Sequence, residues 1–296
     1  MKGVFLVEEK FISYMKDKGL SENSWKSYLN DLRLFKKYYE DSYGEELTNL
    51  VHADVSMYSQ FLHSHNTSAK TINRKIAALK QYNLFLVEQG IQNNIVIIDK
   101  DYIKIHNSMM PKEVPEKQDI NKVLHTAARD DDNAERDYCF IAIDVYTGIR
   151  ESEILGIRLV DLKLDKHCIA IVGKGKKYRE VVVNNIVYDA INNYLKIRNE
   201  MKTDNPYLFV NQKSVNTTKP MARNYGNRLL NKYKHICKLT KLHPHQLRSY
   251  FCTNALHNAG FSIEMVAAQA GHSSLNTTKG YIGSDRESLL DLANKL

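Results

Sequence analysis

Residues 105–117 read IHNSMMPKEVPEK, and across this stretch the apolar pattern of the chain changes its period. Pro111 and Pro115 cannot donate to a helix ladder, and each holds its preceding residue extended. The break limits what the chain can build, and it is read as an interdomain linker. Upstream the spacing is helical. In SENSWKSYLNDLRLFKKYY, Trp25, Tyr28, Leu29, Leu32 and Phe35 share one face, with Ser21 as N-cap. In TSAKTINRKIAALKQYNLFLVEQG, Ile72, Ile76, Leu79 and Leu86 form a second stripe, which Gly90 ends as a C′ residue. Lys70, Arg74 and Lys75 cluster near the start of that helix, as a solvated face or an anion-facing one.

Downstream the pattern is mixed. HCIAIV and REVVV are short β-rich runs joined by GKGKKY, a hairpin with a basic tip, and PYLFV reads as a further strand. Helices resume at about Met221 and run to the end, with Gly260 and Gly271 as breaks. A length of 296 residues suits about two domains. The expected fold is mainly α with a small antiparallel β-sheet: a helical domain over 1–104, the linker 105–117, and a mixed α/β domain over 118–296.

Charge separates these parts further. The net charge is +8 and the pI about 9.1. Residues 1–110 hold 14 Lys+Arg against 13 Asp+Glu, which leaves 28 against 21 for the remainder. Lys196–Arg248 contains 12 basic residues and, as acids, only Glu200 and Asp204. A solvated face rarely excludes acids over so long a span, so a phosphate-facing surface is expected. Cys139, Cys168, Cys237 and Cys252 are widely spaced with no C-x-x-C pair, against a zinc ribbon or a disulfide framework. The opening MKGVFLVEEK is too short in apolar residues for a signal peptide, and no stretch is long enough to span a bilayer. A cytoplasmic protein with no membrane partner is expected.

Four short motifs carry residues suited to chemistry on an oxyanion. In YTGIRESEILGIRLVDL, Thr147-Gly148 is a turn that places Arg150 where a helix begins, near free N–H groups. Glu153, one turn on, either orients Arg150 or makes a weak surface pair. In HPHQLRSYFCTNAL, Pro244 suits a first helical turn, and His245 and Arg248 project from one face. A guanidinium fork matches two phosphate oxygens while an imidazole donates or moves a proton. His243 and His245 lack the further ligands of a zinc site. In GKGKK, Lys174 is a long-armed proton donor or phosphate contact; Lys176, Lys177 and Arg179 are backbone contacts or solvated charges. GHSSLNTTKGY sets His272 before Tyr281. The only acidic cluster, DDDNAE at 130–135, reads as a solvated connection between helices and gives no convergent carboxylates for a metal.

The order TGIRESE, GKGKKYR, HPHQLR, GHSSLNTTKGY resembles the tyrosine recombinase (phage integrase) family, in its short, Xer-like two-domain form. Its pattern of an arginine, a hairpin lysine, His-x-x-Arg, a histidine or tryptophan and a nucleophilic tyrosine falls on Arg150, Lys174, His245, Arg248, His272 and Tyr281. Upstream, SENSWKSYLNDLRLF and KTINRKIAALKQY look like the family's helical core-binding domain. One departure is visible: where the family often has His-Ser-Phe-Ala-Thr after the second arginine, this chain reads SYFCT, so packing beside Arg248 is expected to differ.

The resemblance implies a site-specific recombinase that cleaves and rejoins DNA through a covalent 3′-phosphotyrosine on Tyr281. Arg150, Arg248 and His272 would clamp the phosphate, with Glu153 in support; His245 would act as acid or base, and Lys174 as general acid for the departing 5′ oxygen. It implies no cofactor, no metal and no ATP. The partner would be a double-stranded DNA recombination site, contacted through Lys70, Arg74, Lys75, Lys176, Lys177 and Arg179, and bound by a dimer per site and a tetramer on two sites. The tail SDRESLLDLANKL, with Leu289, Leu290, Leu292 and Leu296 on one face, would dock on a neighbouring protomer. The chain starts almost at the core-binding pattern, which favours a short, simple site. A type IB topoisomerase, a non-catalytic DNA-binding protein on the same fold and a metal-dependent nuclease are the other readings.

Overall fold

The computed structural model describes residues 2–105, 114–130, 133–173, 178–211, 218–272 and 277–278, with side chains from residue 7 onward. The chain divides into two compact units, Met1–Ser108 and Met109–Leu296. Among the described residues no helix is long and apolar enough to cross a membrane.

The first unit is built of α1 (Lys2–Asp17), α2 (Glu22–Tyr43), α3 (His52–Ser64) and α4 (Ala69–Glu88). Ser21 and Ser68 cap α2 and α4, their hydroxyls accepting from Ser24 N and Thr71 N. Helix α4 packs against the other three. It buries Ile72, Ile76, Leu79, Phe85 and Leu86 against Phe11 and Met15 of α1, Leu32 and Phe35 of α2, and Val55 and Tyr58 of α3. Burying each such side chain stabilises by about 1.5–3 kcal/mol. After Gly90 (φ 66°) the chain is pinned back onto α4 by two asparagines. Asn83 accepts from Val96 N at 2.7 Å, and Asn73 exchanges hydrogen bonds with both backbone groups of Ile103, at 2.8 and 2.9 Å. Of the expected linker, residues 106–113 lie outside the described residues; the next helix starts at its last position, Lys117.

The second unit comprises α5 (Lys117–Ala127), α6 (Ala134–Thr147), α7 (Glu151–Leu155), β1 (Leu162–Lys163), β2 (Cys168–Val172), β3 (Tyr178–Val182), α8 (Asn185–Glu200), α9 (Tyr225–Ile236), α10 (Pro244–His257) and α11 (Ile263–Ala270). Helix α6 is its centre. Cys139, Phe140, Ile141, Ala142, Ile143 and Val145 are all buried, and α5, α7, α8 and α10 pack around it. The sheet has order β1-β2-β3, all antiparallel, and the hairpin register runs from Cys168↔Val182 to Val172↔Tyr178. Its basic tip, residues 174–177, lies outside the described residues.

Two expectations need correction. PYLFV does not add a strand. Tyr207 makes one isolated bridge with Arg158, while Pro206 O and Leu208 N pair with Leu159 N and Ile157 O, and Leu208, Phe209 and Val210 are buried by packing. Its apolar run reflects burial, which does not require a sheet. The acidic connection is not simply solvated either. Asp130 accepts from Tyr233 Oη at 2.9 Å and pairs with Lys232; Asp137 is buried among Arg136, Tyr225 Oη and Tyr233 Oη. Residues 131–132 lie outside the described set.

Candidate active site

Helix α6 ends on Gly148, whose φ of 64° is left-handed and therefore suits glycine. A Cβ there would also stand 2.2 Å from the Phe251 ring of α10. The turn delivers Arg150 in extended backbone as the N-cap of α7. That helix is only five residues long, so its dipole has little to offer an oxyanion. What holds Arg150 is Glu153, which accepts from the Arg150 backbone N–H at 3.0 Å and from Nη1 at 3.1 Å. Glu153 makes no weak surface pair: its side chain is 6% exposed, and Arg179 of β3 donates to both of its oxygens, at 3.1 and 2.8 Å. Burial alone would raise the Glu153 carboxyl, but hydrogen bonds from Arg179 and from the Arg150 backbone, with both positive charges, hold it below the ordinary glutamate value.

Three arginines remote in sequence meet at the end of α11. Ser262 caps this helix and Gly271, φ 69°, closes it. Arg179 Nε donates to Gln269 O at 3.3 Å, Arg248 Nη1 to Ala270 O at 2.7 Å, and Arg150 Nη2 to Gly271 O at 2.8 Å. Arg248 Nη1 also donates to Gly148 O, which ties α10 to the turn before Arg150. Helix C-terminal carbonyls are unpaired acceptors at a negative dipole end, a natural anchor for guanidinium groups. A Cβ on Gly271 would lie 2.5 Å from the Arg179 guanidinium, so glycine is needed for close approach as well as for conformation. The side chain of Gln269 completes the frame by bonding both backbone groups of Val182, accepting at 3.2 Å and donating at 2.6 Å.

Pro244 occupies the first turn of α10, and His245 and Arg248 follow one turn apart. His245 is exposed, whereas Arg248 is buried. His272, directly after Gly271, is half-buried; its Nδ1 lies 2.7 Å from Oγ1 of the fully buried Thr278. Beneath Arg248 sits Asp144 of α6, 1% exposed, with neither carboxyl oxygen hydrogen-bonded. Burial, with the Glu151 charge adding, raises its carboxyl well above the ordinary aspartate value, although Arg248 pulls the other way.

Arg150, Arg248, His272 and Glu153 are thus drawn to one place, with His245 one turn from Arg248. Tyr281, Lys174, Lys176 and Lys177 lie outside the described residues, as does the tail with Leu289, Leu290, Leu292 and Leu296. Arg179 corrects the expectation of a DNA contact, because it turns inward onto Glu153 and the α11 carbonyls. Lys75 is corrected likewise: it is 8% exposed, with its ammonium 3.3 Å from buried Asp31. Arg74 pairs with the same carboxylate and with Ser27 but keeps an exposed side chain, and Lys70 is exposed. The sequence reading missed Gln269, Glu151 and Asp144. Of these only Asp144 left a signal, as a lone acid in the apolar run CFIAIDV.

A forked cluster of guanidinium groups with histidines beside it is suited to holding a phosphate and stabilising charge on its oxygens. Comparison with known proteins shows the family. Residues 113–288 match the phage integrase family, and residues 9–90 match the phage integrase N-terminal SAM-like domain. The chain is 36% identical over 295 residues to the TnP I resolvase of Bacillus thuringiensis, covering 98% of each protein. It is 28% identical over 280 residues to tyrosine recombinase XerC of Staphylococcus epidermidis, covering 93% of this chain and 91% of the relative. In fold it is similar to the XerH site-specific recombinase bound to a palindromic difH substrate, with TM-score 0.75, 22% identity, and 97% and 94% of the two chains covered. It is also similar to the Tn1549 transposon integrase in complex with a circular intermediate DNA, with TM-score 0.69, 21% identity, and 97% and 99% covered. The chain belongs to the phage integrase family. It is a site-specific tyrosine recombinase, an enzyme of DNA strand exchange.

Proposed function

We propose that Tyr281 is the nucleophile and that the arginine cluster at the end of α11 receives the scissile phosphate. The observation that carries this reading is the anchoring of Arg150 and Arg248 on the consecutive carbonyls of Gly271 and Ala270, directly before His272. A tyrosine hydroxyl, with a pKa of about 10, needs help at neutral pH. His245 takes the proton as Tyr281 Oη attacks phosphorus. The bond to the 5′ oxygen breaks, and Lys174 gives that oxygen a proton. Arg150, Arg248 and His272 stabilise the charge on the non-bridging oxygens. The 3′-phosphotyrosine conserves the energy of the broken bond, so attack by a 5′-hydroxyl of the second site rejoins DNA without ATP or metal.

The working assembly in this reading is a tetramer on two sites, a dimer on each, linked by tails that dock between protomers. Lys70 and Arg74 contact DNA from the first unit, and Lys174, Lys176 and Lys177 from the hairpin tip. The name of the 36%-identical resolvase favours resolution between two sites in one molecule as the outcome. A suicide substrate nicked beside the scissile phosphate tests the assignment. Tyr281→Phe should bind it normally and form no covalent adduct. An adduct with that variant would remove Tyr281 from the mechanism.

A further inference from the structure

Helix α9 has two unlike faces. Tyr225, Leu229, Leu230 and Tyr233 are buried on one. On the other, Asn227, Arg228, Asn231 and Lys234 line an open groove with Lys241 and His243, about 490 Å³ in volume, that reaches the N-cap of α10. The helix contains no acid. Arginine and asparagine are the side chains with bidentate geometry for the edges of guanine and adenine, and lysine suits phosphate, so this face is fitted to a DNA groove.

The start of α9 is clasped from inside the catalytic unit. Glu151 is the first residue of α7 and follows Arg150 directly. Its Oε1 accepts from Asn227 N at 3.3 Å and its Oε2 from Asn227 Nδ2 at 2.9 Å, so the carboxylate takes up a donor that the first turn of a helix otherwise leaves unpaired. The approach depends on Gly226, where a Cβ would stand 2.7 Å from Glu151 Oε1. Burial raises the Glu151 carboxyl even though the N–H groups of Asn227 and Gly226 stabilise its charge. Helix α7 has five residues, and Glu153 binds it back to the Arg150 backbone N–H, so it is too short to absorb a displacement at one end.

We infer that Glu151 is a positioning residue through which the seating of α9 on DNA sets the placement of Arg150 at the scissile phosphate. This rests on the reading of Arg150 as a phosphate clamp. Asn227 stands at the junction, held by Glu151 on one side and itself lining the DNA-facing groove beside Arg228. A poorly matched site would leave α9 displaced and Arg150 misplaced, so discrimination would show in the rate of cleavage as well as in binding.

The test uses the full chain and a nicked suicide substrate carrying the half-site recovered by sequencing DNA bound to the protein. Binding is measured by gel shift and cleavage in single turnover at saturating protein. Base pairs under α9 are located as those at which Arg228→Ala loses discrimination. Glu151→Ala and the exposed-site variant Asn227→Ala should each slow saturated cleavage about tenfold, the scale of a small misplacement of a catalytic group. Half-site affinity and melting temperature of Glu151→Ala should stay near wild type, and Glu151→Gln should recover part of the rate. The double variant should be no slower than the slower single one. Substituting a base under α9 should slow saturated cleavage by the wild type but not by either alanine variant. Wild-type rates in Asn227→Ala and Glu151→Ala, or effects that simply add, would overturn the coupling. Wild-type cleavage by Arg150→Ala would instead overturn the underlying clamp.

Discussion

Arg179 donates to both carboxylate oxygens of Glu153, at 3.1 and 2.8 Å, while the same carboxylate holds the backbone and side chain of Arg150. One buried acid thus joins the strand of the hairpin to the turn that carries Arg150. Removing Arg179 would leave that charge without its strongest partner. Arg179→Ala should lose about 3 kcal/mol in urea denaturation, the scale for breaking a buried pair from one side, and should slow suicide-substrate cleavage. The Glu153 carboxyl is held below its unfolded value, so its contribution to stability is present above the ordinary glutamate pKa, about 4.3, and is lost as pH falls through the lower folded value. The stability difference between wild type and Glu153→Gln should therefore hold from neutral pH down to that range and shrink below it.

Arg150→Ala and Arg248→Ala should each slow single-turnover cleavage by roughly 10²-fold or more, the usual scale for one oxyanion donor. Lysine at either position should rescue poorly. A point charge cannot reproduce the fork that reaches an α11 carbonyl and a phosphate oxygen together. Far-UV circular dichroism would confirm that each variant is folded, and near-normal rates in both would rule out the clamp.

Lys174, in preference to Lys176 or Lys177, is expected to protonate the leaving 5′ oxygen. A substrate with sulfur at the 5′ bridging position should then restore cleavage to Lys174→Ala, because a thiolate departs without a proton. Lys176→Ala should retain most activity on ordinary DNA. Rescue of Lys176→Ala instead would move the role to that residue.

Asp144 makes a prediction of opposite sign from Glu153. Its folded carboxyl titrates well above its unfolded value, so the folded state binds the extra proton and stability falls as pH rises from about 4 toward the folded value. Asp144→Leu removes that penalty and an unpartnered buried carboxyl together. It should gain about 1–3 kcal/mol at neutral pH, the scale for an unsatisfied buried polar group, with a smaller gain near pH 4. Denaturation at both pH values checks it, and a loss of stability at neutral pH would show that Arg248 needs the charge.

The sequence made the helical period of α2 and α4 legible because each buries one face, and the β2–β3 hairpin because two β-rich runs flank a glycine-containing turn. Helix α6 is covered on all sides, so Cys139–Val145 carries no stripe to read. PYLFV failed for a related reason: apolar residues report burial, and only the backbone partners, here Ile157 and Leu159, distinguish a strand from a packed segment. The site's order of motifs was plain, but the destination of each charge was not. Arg179 and Lys75 stand beside other basic residues in the chain, yet each ends on an acid from a distant helix, Glu153 or Asp31. Nothing in local spacing encodes those pairings.

Strand β3 is the last in the sheet order among the described residues, and an uncovered outer rim there would accept any extended chain that can offer matching peptide groups. At Val182 that rim is already occupied, since the Gln269 amide engages both the N–H and the carbonyl. The residue that joins α11 to the hairpin therefore also covers part of an edge that would otherwise accept another strand. Losing its amide would leave the peptide groups of Val182, itself 61% exposed, free to pair with another extended chain.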